Sequence, residues 1–332
     1  MTFADRVQRL SGFGFTERQA TFLVTVMLHA GVCVERQYCT AAGLVHGQVT
    51  RDFFHDLVAK HHATGYPCGR RGARVYHVHA KRLYDAIGEP NNRHRRPMAL
   101  GRAIERLMVL DAVLAEPHLT WLATEHDKLA HFTLTAQLRR DELPLLIFRN
   151  DTSQTVRYFP DKLPIGLHPD GRTYVFLYGV HRAAPADFRV FLYRHATLWR
   201  GLSRWTVRLL IPPHLHTVAL DYQRTAEEEL GVRLAPDTVE ELRWFFHQRR
   251  QAMAAPTNAS ITDAPRFRRA RRAFGAPRYR VLYRHWLLTG EPLINALLSP
   301  VLSDAVTRGT GQVETHVLTR PYHHLSPLVG TA

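Results

Sequence analysis

Residues 16–79, TERQATFLVTVMLHAGVCVERQYCTAAGLVHGQVTRDFFHDLVAKHHATGYPCGRRGARVYHVH, carry one continuous pattern of structural signals. Thr16 has a hydroxyl that can cap a first helix, whose apolar residues recur every three or four positions, and Gly31 ends that helix. Residues 35–44 predict a short second helix, and two glycines bracket the turn before a third. The segment therefore predicts three helices in close succession.

The third helix has two chemically different faces. Its buried stripe is predicted to contain Val49, Phe53, Phe54, Leu57 and Val58. Its outer face is predicted to carry polar and basic side chains, namely Gln48, Thr50, Arg51, His55 and His62. Such a face suits the major groove of DNA, where amide and guanidinium groups reach base edges while their neighbours contact phosphates.

A β-hairpin with a basic tip follows the third helix. Glycines set its turn within residues 64–74, residues 75–79 alternate as a strand does, and the tip carries Arg70, Arg71 and Arg74. This order of elements predicts a winged helix-turn-helix domain over residues 1–88, with a hairpin that contacts the phosphate backbone or the minor groove. Two other interpretations stay open, a small packed domain and a domain that docks on protein, because fold alone does not settle function.

The composition favours a polyanionic partner. The 332 residues include 44 Lys and Arg against 29 Asp and Glu, which gives a formal charge of +15 and a pI of about 10.3. Counterion release from nucleic acid would then favour binding. An arginine-rich proteome would raise the same count, which weakens this argument. With 45% hydrophobic residues, the chain can form two domains of ~150 residues each.

The sequence predicts a cytoplasmic protein without membrane contact. It has neither the charged start and apolar run of a signal peptide nor the ~20 apolar residues of a membrane span. Cys33, Cys39 and Cys68 are too few for a disulfide framework. A metal site at Cys68, His77 and His79 is disfavoured, because no further ligand pair completes a tetrahedral shell. No metal or other cofactor is therefore expected.

Residues 89–98 are predicted to be a basic linker. The segment is polar and bounded by prolines, and it carries Arg93, Arg95 and Arg96. These arginines either contact phosphates or belong to a solvated connection. Residues 99–115 then show the spacing of a long amphipathic helix that leads into a second domain.

The second domain, residues 99–253, is predicted to be α/β, so the whole chain belongs to the α+β class. Strands are predicted near residues 119–122, 145–148, 165–167, 174–178 and 207–211. Helices are predicted over residues 188–205, 226–230 and 239–253. This order is typical of a small mixed sheet with a crossover connection.

Several short motifs along residues 16–215 carry a resemblance to a known family. They are Thr16-Glu17-Arg18-Gln19, Trp121 with Glu125, Phe159-Pro160-Asp161, the strand at residues 173–178 and the helix through Tyr193. With the winged helix, they resemble the replication-relaxation family of plasmids and integrated mobile elements. The resemblance implies a second domain with a restriction-endonuclease-like fold.

The chemistry of such a nuclease core can be tested against the residues. It needs an aspartate after proline, then an acid and a lysine on the next strand, so that carboxylates hold Mg²⁺ and the lysine steadies water or phosphate. Asp161 fits the first position, and Glu125 could be a helix carboxylate. Residues 174–179 offer only apolar and aromatic groups where the acid and lysine should stand. We therefore expect a catalytically inactive nuclease-like domain, with a Mg²⁺-dependent endonuclease using Glu125 and Asp161 as the alternative.

The C-terminal region, residues 265–332, is predicted to be helical and basic. Its predicted DNA contacts are Arg268, Arg269, Arg271 and Arg272, which alternate with aromatic residues and have no acidic neighbour. Guanidinium groups can pair with phosphates while rings stack on bases. The competing interpretation is a helix whose rings pack inward and whose arginines stand in water. Residues 307–332 receive no functional assignment.

The sequence thus favours a DNA-binding protein over an enzyme. It contains no phosphate-binding loop, no nucleophile elbow and no zinc-protease helix. The leading hypothesis is a sequence-specific binder of double-stranded DNA from a mobile element, acting in replication, transfer or transcriptional control. A homodimer and contacts with replication or transfer proteins are left open, and the third hypothesis is a protein-interaction adaptor.

Overall fold

The computed structural model describes residues 1–68, 73–150, 153–254, 263–320 and 322. The described residues form both helices and strands, which makes this a mixed α and β protein. Its N-terminal elements are, in chain order, α1 (Phe3–Ser11), α2 (Glu17–His29), β1 (Val32–Cys33), α3 (Glu35–Ala42), α4 (Gln48–Ala59), β2 (Ala63–Pro67), β3 (Arg74–Val78) and α5 (Lys81–Ala86).

Local sequence sets the ends of the first helices. The side chains and amides of Thr16 and Gln19 bond reciprocally at the start of α2, at 2.9 and 3.4 Å, which confirms the predicted cap. Gly31 follows α2 with a φ of +73°, and a Cβ there would lie 2.6 Å from the carbonyl oxygen of His94. Only glycine fits both conditions. The chain then continues into an antiparallel sheet of order β1–β3–β2.

The following part of the chain builds a larger sheet with helices around it. Its elements are α6 (Leu100–Leu114), β4 (Thr120–Leu122), α7 (Glu125–Ala130), β5 (Leu145–Asn150), β6 (Ser153–Tyr158), β7 (Ile165–Leu167), β8 (Thr173–Gly179), α8 (Ala186–Arg200) and β9 (Arg204–Ile211). The C-terminal elements are α9 (Ala219–Ala226), α10 (Pro236–Ala254), α11 (Ala264–Ala273), α12 (Pro277–Thr289), α13 (Glu291–Ala296), α14 (Val301–Thr307) and β10 (Gly311–Val317).

The larger sheet has the strand order β10–β9–β8–β7–β4. Strands β8, β9 and β10 are parallel, whereas β7 pairs antiparallel with both β8 and β4. Helix α8 connects the parallel pair β8 and β9, because parallel neighbours need a crossover. Strands β5 and β6 form a separate hairpin between β4 and β7 in the chain.

Helix α6 joins the N-terminal unit to this sheet. Val175 and Leu177 on one face of β8 share a core with α2 and α6, while Phe176 and Tyr178 on the other face pack with α8. This alternation is what a strand covered on both faces requires. Asp111 of α6 adds two hydrogen bonds from the guanidinium of Arg36 in α3, at 2.8 and 2.6 Å.

Two predictions about the organisation of the chain are wrong, and one of the two open interpretations of the linker is not observed. The helix expected over residues 188–205 ends at Arg200, and Trp205 lies in β9, where its ring stacks 4.8 Å from that of Trp199. The C-terminal region is not wholly helical, because β10 pairs in parallel with β9 and completes the sheet of the second domain. Nor is the linker simply solvated, since His94 is buried and its carbonyl oxygen accepts a hydrogen bond from His77 at 2.8 Å.

Candidate nucleic-acid interface

The outer face of α4 presents three of the polar side chains expected there. Gln48, Arg51 and His55 are exposed, and the imidazole of His55 keeps 81% of its exposure. The opposite side of the helix is anchored by aromatic packing, with the rings of Phe53 and Tyr38 4.5 Å apart. The three outer residues recur at helical spacing and therefore share one solvent-facing surface.

The predicted inside and outside positions are wrong at Val49 and Thr50 of α4 and at His62, which follows it. Thr50 is completely buried, with its hydroxyl 3.4 Å from the sulfur of Cys39, so it cannot reach a base edge. Val49, expected in the core, is 65% exposed, and His62, expected outside, is buried. Thr50 lies one helical turn before the buried Phe54 and faces Cys39 of α3, whereas Val49, at the edge of the apolar stripe, stays in solvent.

Carboxylates share the surface of α4 with these polar groups. The Gln48 amide donates to Asp52 at 2.6 Å, and Asp56 lies 3.6 Å from the ammonium of Lys60. His55 Nδ1 lies 3.8 Å from a carboxylate oxygen of Asp56. Arg51 has no carboxylate within 4.0 Å among the described residues. Arg51 is therefore the cation on this face that is left to meet an outside partner.

The hairpin adds one described arginine to this part of the surface. Arg74 is exposed at the start of β3, opposite Pro67 of β2. The predicted contacts Arg70 and Arg71 fall in residues 69–72, outside the described residues. Tyr66, which the sequence did not single out, is 49% exposed on β2.

A second basic surface lies on α11. This helix buries Ala270 and exposes the four predicted contacts, Arg268, Arg269, Arg271 and Arg272. Within the described ranges, none of the four guanidinium groups has a carboxylate within 4.0 Å. Phe267 on the inner side packs 5.3 Å from Phe245. The rings therefore serve the core, and the four cations face solvent.

Other arginines in the same stretch have structural partners. Arg266 donates to Glu241 at 2.6 Å and lies 4.0 Å above the ring of Trp244. Arg278 is buried, with its Nε 3.3 Å from a carboxylate oxygen of Glu229. These guanidinium groups are already engaged, so they do not belong to the basic surface.

Asp161, the candidate nuclease aspartate, is tied to α8. One carboxylate oxygen accepts a hydrogen bond from Arg194 at 2.5 Å, and the other lies 4.0 Å from the ring of His195. The residues on either side of Pro160-Asp161 have positive φ angles, +46° at Phe159 and +59° at Lys162. Such angles are unfavourable for residues other than glycine, so the surrounding packing must hold this turn in place.

Glu125, the second candidate, is engaged elsewhere. It is the first residue of α7, whose cap is the hydroxyl of Thr124, and its carboxylate accepts a hydrogen bond from the peptide N–H of Tyr158 at 2.9 Å. Among the described residues, no group of three histidine, cysteine or acidic side chains is placed to hold a metal ion. Glu125 and Asp161 thus each have a structural partner.

A buried lysine near Asp161 was missed by the sequence analysis. Lys128 of α7 is 1% exposed and donates to the carbonyl oxygen of Leu163 at 2.6 Å. Burial, followed by repulsion from Arg93, lowers the pKa of Lys128 to about 7. Nothing in the sequence marks this lysine, because its burial results from the packing of α7 against the loop before β7.

Comparisons of the chain with models of protein families, with curated proteins and with solved structures find no match. In the part of the chain that the structure describes, no helix has the length and apolarity needed to cross a membrane.

Proposed function

We propose that this protein binds double-stranded DNA through α4 and the β2–β3 hairpin, which together with α2, β1 and α3 form a winged helix. The observation that carries the proposal is the exposed face of Gln48, Arg51 and His55 on the third helix of this unit. The order helix, strand, two helices and hairpin, with the sheet order β1–β3–β2, is the arrangement expected of that fold. Charge supports it, since the chain carries +15.

Each exposed residue has a role suited to its chemistry. Arg51 can donate two hydrogen bonds to a guanine, and Gln48 can pair with an adenine in the same groove. His55 and Arg74 suit phosphates on either side, where they would position the protein without carrying sequence information. The basic surface of α11 would add further phosphate contacts. Affinity should then depend on Arg51 more than on its neighbours.

We further propose that the second domain is nuclease-like in shape and catalytically inactive. Three antiparallel strands, β4, β7 and β8, followed by α8 and the parallel strand β9, fit a restriction-endonuclease-like core. Two observations argue against catalysis: Asp161 is paired with Arg194, and β8 is apolar and aromatic over residues 174–178. In line with the resemblance of short motifs to the replication-relaxation family, we propose a role in replication, transfer or transcriptional control of a mobile element.

A salt titration of duplex binding tests the proposal. The full chain is titrated into a labelled duplex of mixed sequence while fluorescence anisotropy is recorded at several salt concentrations. We expect Arg51→Ala to weaken binding about tenfold, as loss of a bidentate base contact or a strong phosphate contact should. Arg74→Ala should lower the slope of log K against log salt by about 1.

Arg224→Ala is the matched control. Arg224 lies on α9, its side chain is 76% exposed, and its nearest carboxylate, on Asp221, is 3.9 Å away. If Arg51→Ala binds DNA no worse than Arg224→Ala, the proposal is wrong. Incubation of the wild-type protein with duplex and Mg²⁺ should give no cleavage; cleavage that Asp161→Ala abolishes would instead establish the endonuclease.

A further inference from the structure

A cleft between residues 89–98, the predicted linker, and the second domain is lined by basic side chains. It encloses about 310 Å³ where residues 91–94 meet α7 and the loop after β6. Its wall contains four cationic residues, Arg93, Lys128, Arg157 and Lys162. They come from three separate segments of the chain, residues 91–94, α7, and β6 with the loop after it, which the fold brings to one place.

These cations have no carboxylate of their own. Among the described residues, none of the four lies within 4.0 Å of an acidic side chain. The two carboxylates in the wall are engaged elsewhere, since Glu89 lies 3.6 Å from Arg6 and Glu125 accepts the peptide N–H of Tyr158 at 2.9 Å. The wall of the cleft therefore carries more positive than negative charge, four basic residues against two carboxylates, one of which faces Arg6.

Burial makes this uncompensated charge costly. Lys128 is almost fully buried, and Leu163 accepts only one of the three N–H groups an ammonium can donate. Arg93 donates one hydrogen bond, to the carbonyl oxygen of Lys162 at 2.5 Å. Burial and then the neighbouring guanidinium groups of Arg106 and Arg102 lower the pKa of Arg93. Buried charges are ordinarily paired, so a cluster of this kind calls for an anion.

We propose that this cleft binds a phosphate group, held by Arg93, Lys128, Arg157 and Lys162. Several donors converging from different directions suit the many acceptor oxygens of a phosphate, and guanidinium groups match their spacing. The volume lies at the small end of the range for small-molecule sites. The phosphate could belong to a free nucleotide or to DNA; either way the site is separate from α4 and goes beyond the DNA contact proposed above.

The test measures phosphate binding directly. The full chain, in a buffer of low ionic strength without phosphate, is titrated with inorganic phosphate and with adenosine 5′-monophosphate in a calorimeter. We expect saturable binding by the wild type, weakened at least tenfold by Arg93→Gln and by Lys162→Gln. Arg224→Gln, which removes an exposed guanidinium on α9, should bind as the wild type does.

Two further arms make the result decisive. Arg157→Gln changes an exposed residue of the wall, so it tests the site even if a variant of a more buried cation fails to fold. Displacement of bound phosphate by a duplex would assign the phosphate to DNA, whereas displacement by the nucleotide alone would assign it to a small molecule.

The phosphate site is refuted if the wild type shows no saturable binding, or if the Arg93, Lys162 and Arg157 variants all bind as tightly as Arg224→Gln. Arg51→Ala should leave phosphate binding unchanged. Phosphate binding without any duplex binding would therefore refute the winged-helix proposal alone.

Discussion

Two clusters of basic residues in this chain, one buried and one lining the cleft, differ in whether a carboxylate contacts the cations. In the first, Arg189 and Arg278 converge on the buried carboxylate of Glu229, which also accepts the hydroxyl of Tyr193 at 2.8 Å.

In the second, around the cleft, Arg93 and Lys128 donate to backbone carbonyl oxygens, and Lys128 and Arg157 lie 5.6 and 5.9 Å from the rings of Phe159 and Phe148. Among the described residues, no carboxylate lies within 4.0 Å of the four cations of this cluster. In the first cluster the cations are paired with carboxylates without any ligand, and the pairs join α8 to α12. In the second cluster the cations lack a carboxylate partner among the described residues, so an anion could bind there.

A neighbouring carboxylate distinguishes a cation that stabilises the fold from one that is available to a ligand. Removing water from a charge costs several kcal/mol, and a carboxylate in good geometry offsets much of that cost. A cluster that supplies its own carboxylate therefore needs no partner. A cluster that lacks one is retained at a cost to stability, and an incoming anion offsets that cost.

The largest expected effect is loss of the carboxylate from the complete cluster. Glu229→Ala leaves Arg189 and Arg278 with only the more exposed carboxylate of Glu228, at 2.6 and 4.0 Å, and we expect a loss of about 3 kcal/mol of unfolding free energy. Equilibrium urea denaturation measures it. Glu240→Ala, which removes an exposed carboxylate paired with Arg243, should change little. Equal losses in the two variants would show that the buried carboxylate contributes no more to stability than an exposed one.

At acidic pH, protonation of buried histidines should place new positive charges in the core. Burial lowers the pKa of His29 to about 3 and of His195 to about 4, both below the ordinary value of 6.5. Below pH 6.5 the unfolded chain then binds more protons than the folded one, so stability is complete above that pH and falls as pH decreases towards 4. Each histidine should contribute a slope of about 1.4 kcal/mol per pH unit.

Denaturation curves between pH 7 and pH 4.5 check this dependence. His29→Phe should flatten it by one histidine's share, because the ring of His29 packs edge-on to Trp121 and its Nδ1 has no hydrogen-bond partner among the described residues. An unchanged slope in that variant would show that His29 is protonated as readily in the folded chain as in the unfolded one.

Adding a carboxylate to the incomplete cluster should make it resemble the complete one. Asn91 is exposed in the wall of the cleft, and Asn91→Asp places a negative charge there without a change of size. Because the site is partly solvated, we expect a gain of only about 0.5 kcal/mol in phosphate-free buffer. Thermal unfolding with and without phosphate measures it, and a gain that persists at saturating phosphate would argue that the aspartate acts elsewhere.

Local signals in the sequence predicted the N-terminal elements well. The cap at Thr16 and the glycine after α2 are fixed by neighbouring residues, and both are observed. The burial of Thr50 in place of Val49 was not predictable, because Thr50 is the more polar of the two and only its packing against Cys39 of α3 places it inside. The presence of a helix can thus be predicted from neighbouring residues, whereas the side of the helix that faces the core depends on tertiary packing.

The cleft and the last strand lay beyond local patterns for different reasons. Arg93 and Lys128 look like ordinary solvated charges in the sequence, and their burial appears only once distant segments meet. Strand β10 has polar residues because it is an edge strand, and one of them, Glu314, pairs with Arg208 of β9. The pattern of polar and apolar residues in β10 therefore depends on its pairing with β9, which is distant in the sequence.

The smallest effect on stability is expected on α11, whose cations are exposed and need no anion. The double change Arg268→Gln and Arg271→Gln should leave thermal unfolding unaltered, because water already solvates both groups. It should lower the salt slope of duplex binding by about 2 if both guanidinium groups contact phosphates. An unaltered slope would show that these arginines of α11 are solvated and do not contact the duplex. Duplex contact would then be limited to α4 and the hairpin, because an exposed cation is available to DNA but need not bind it.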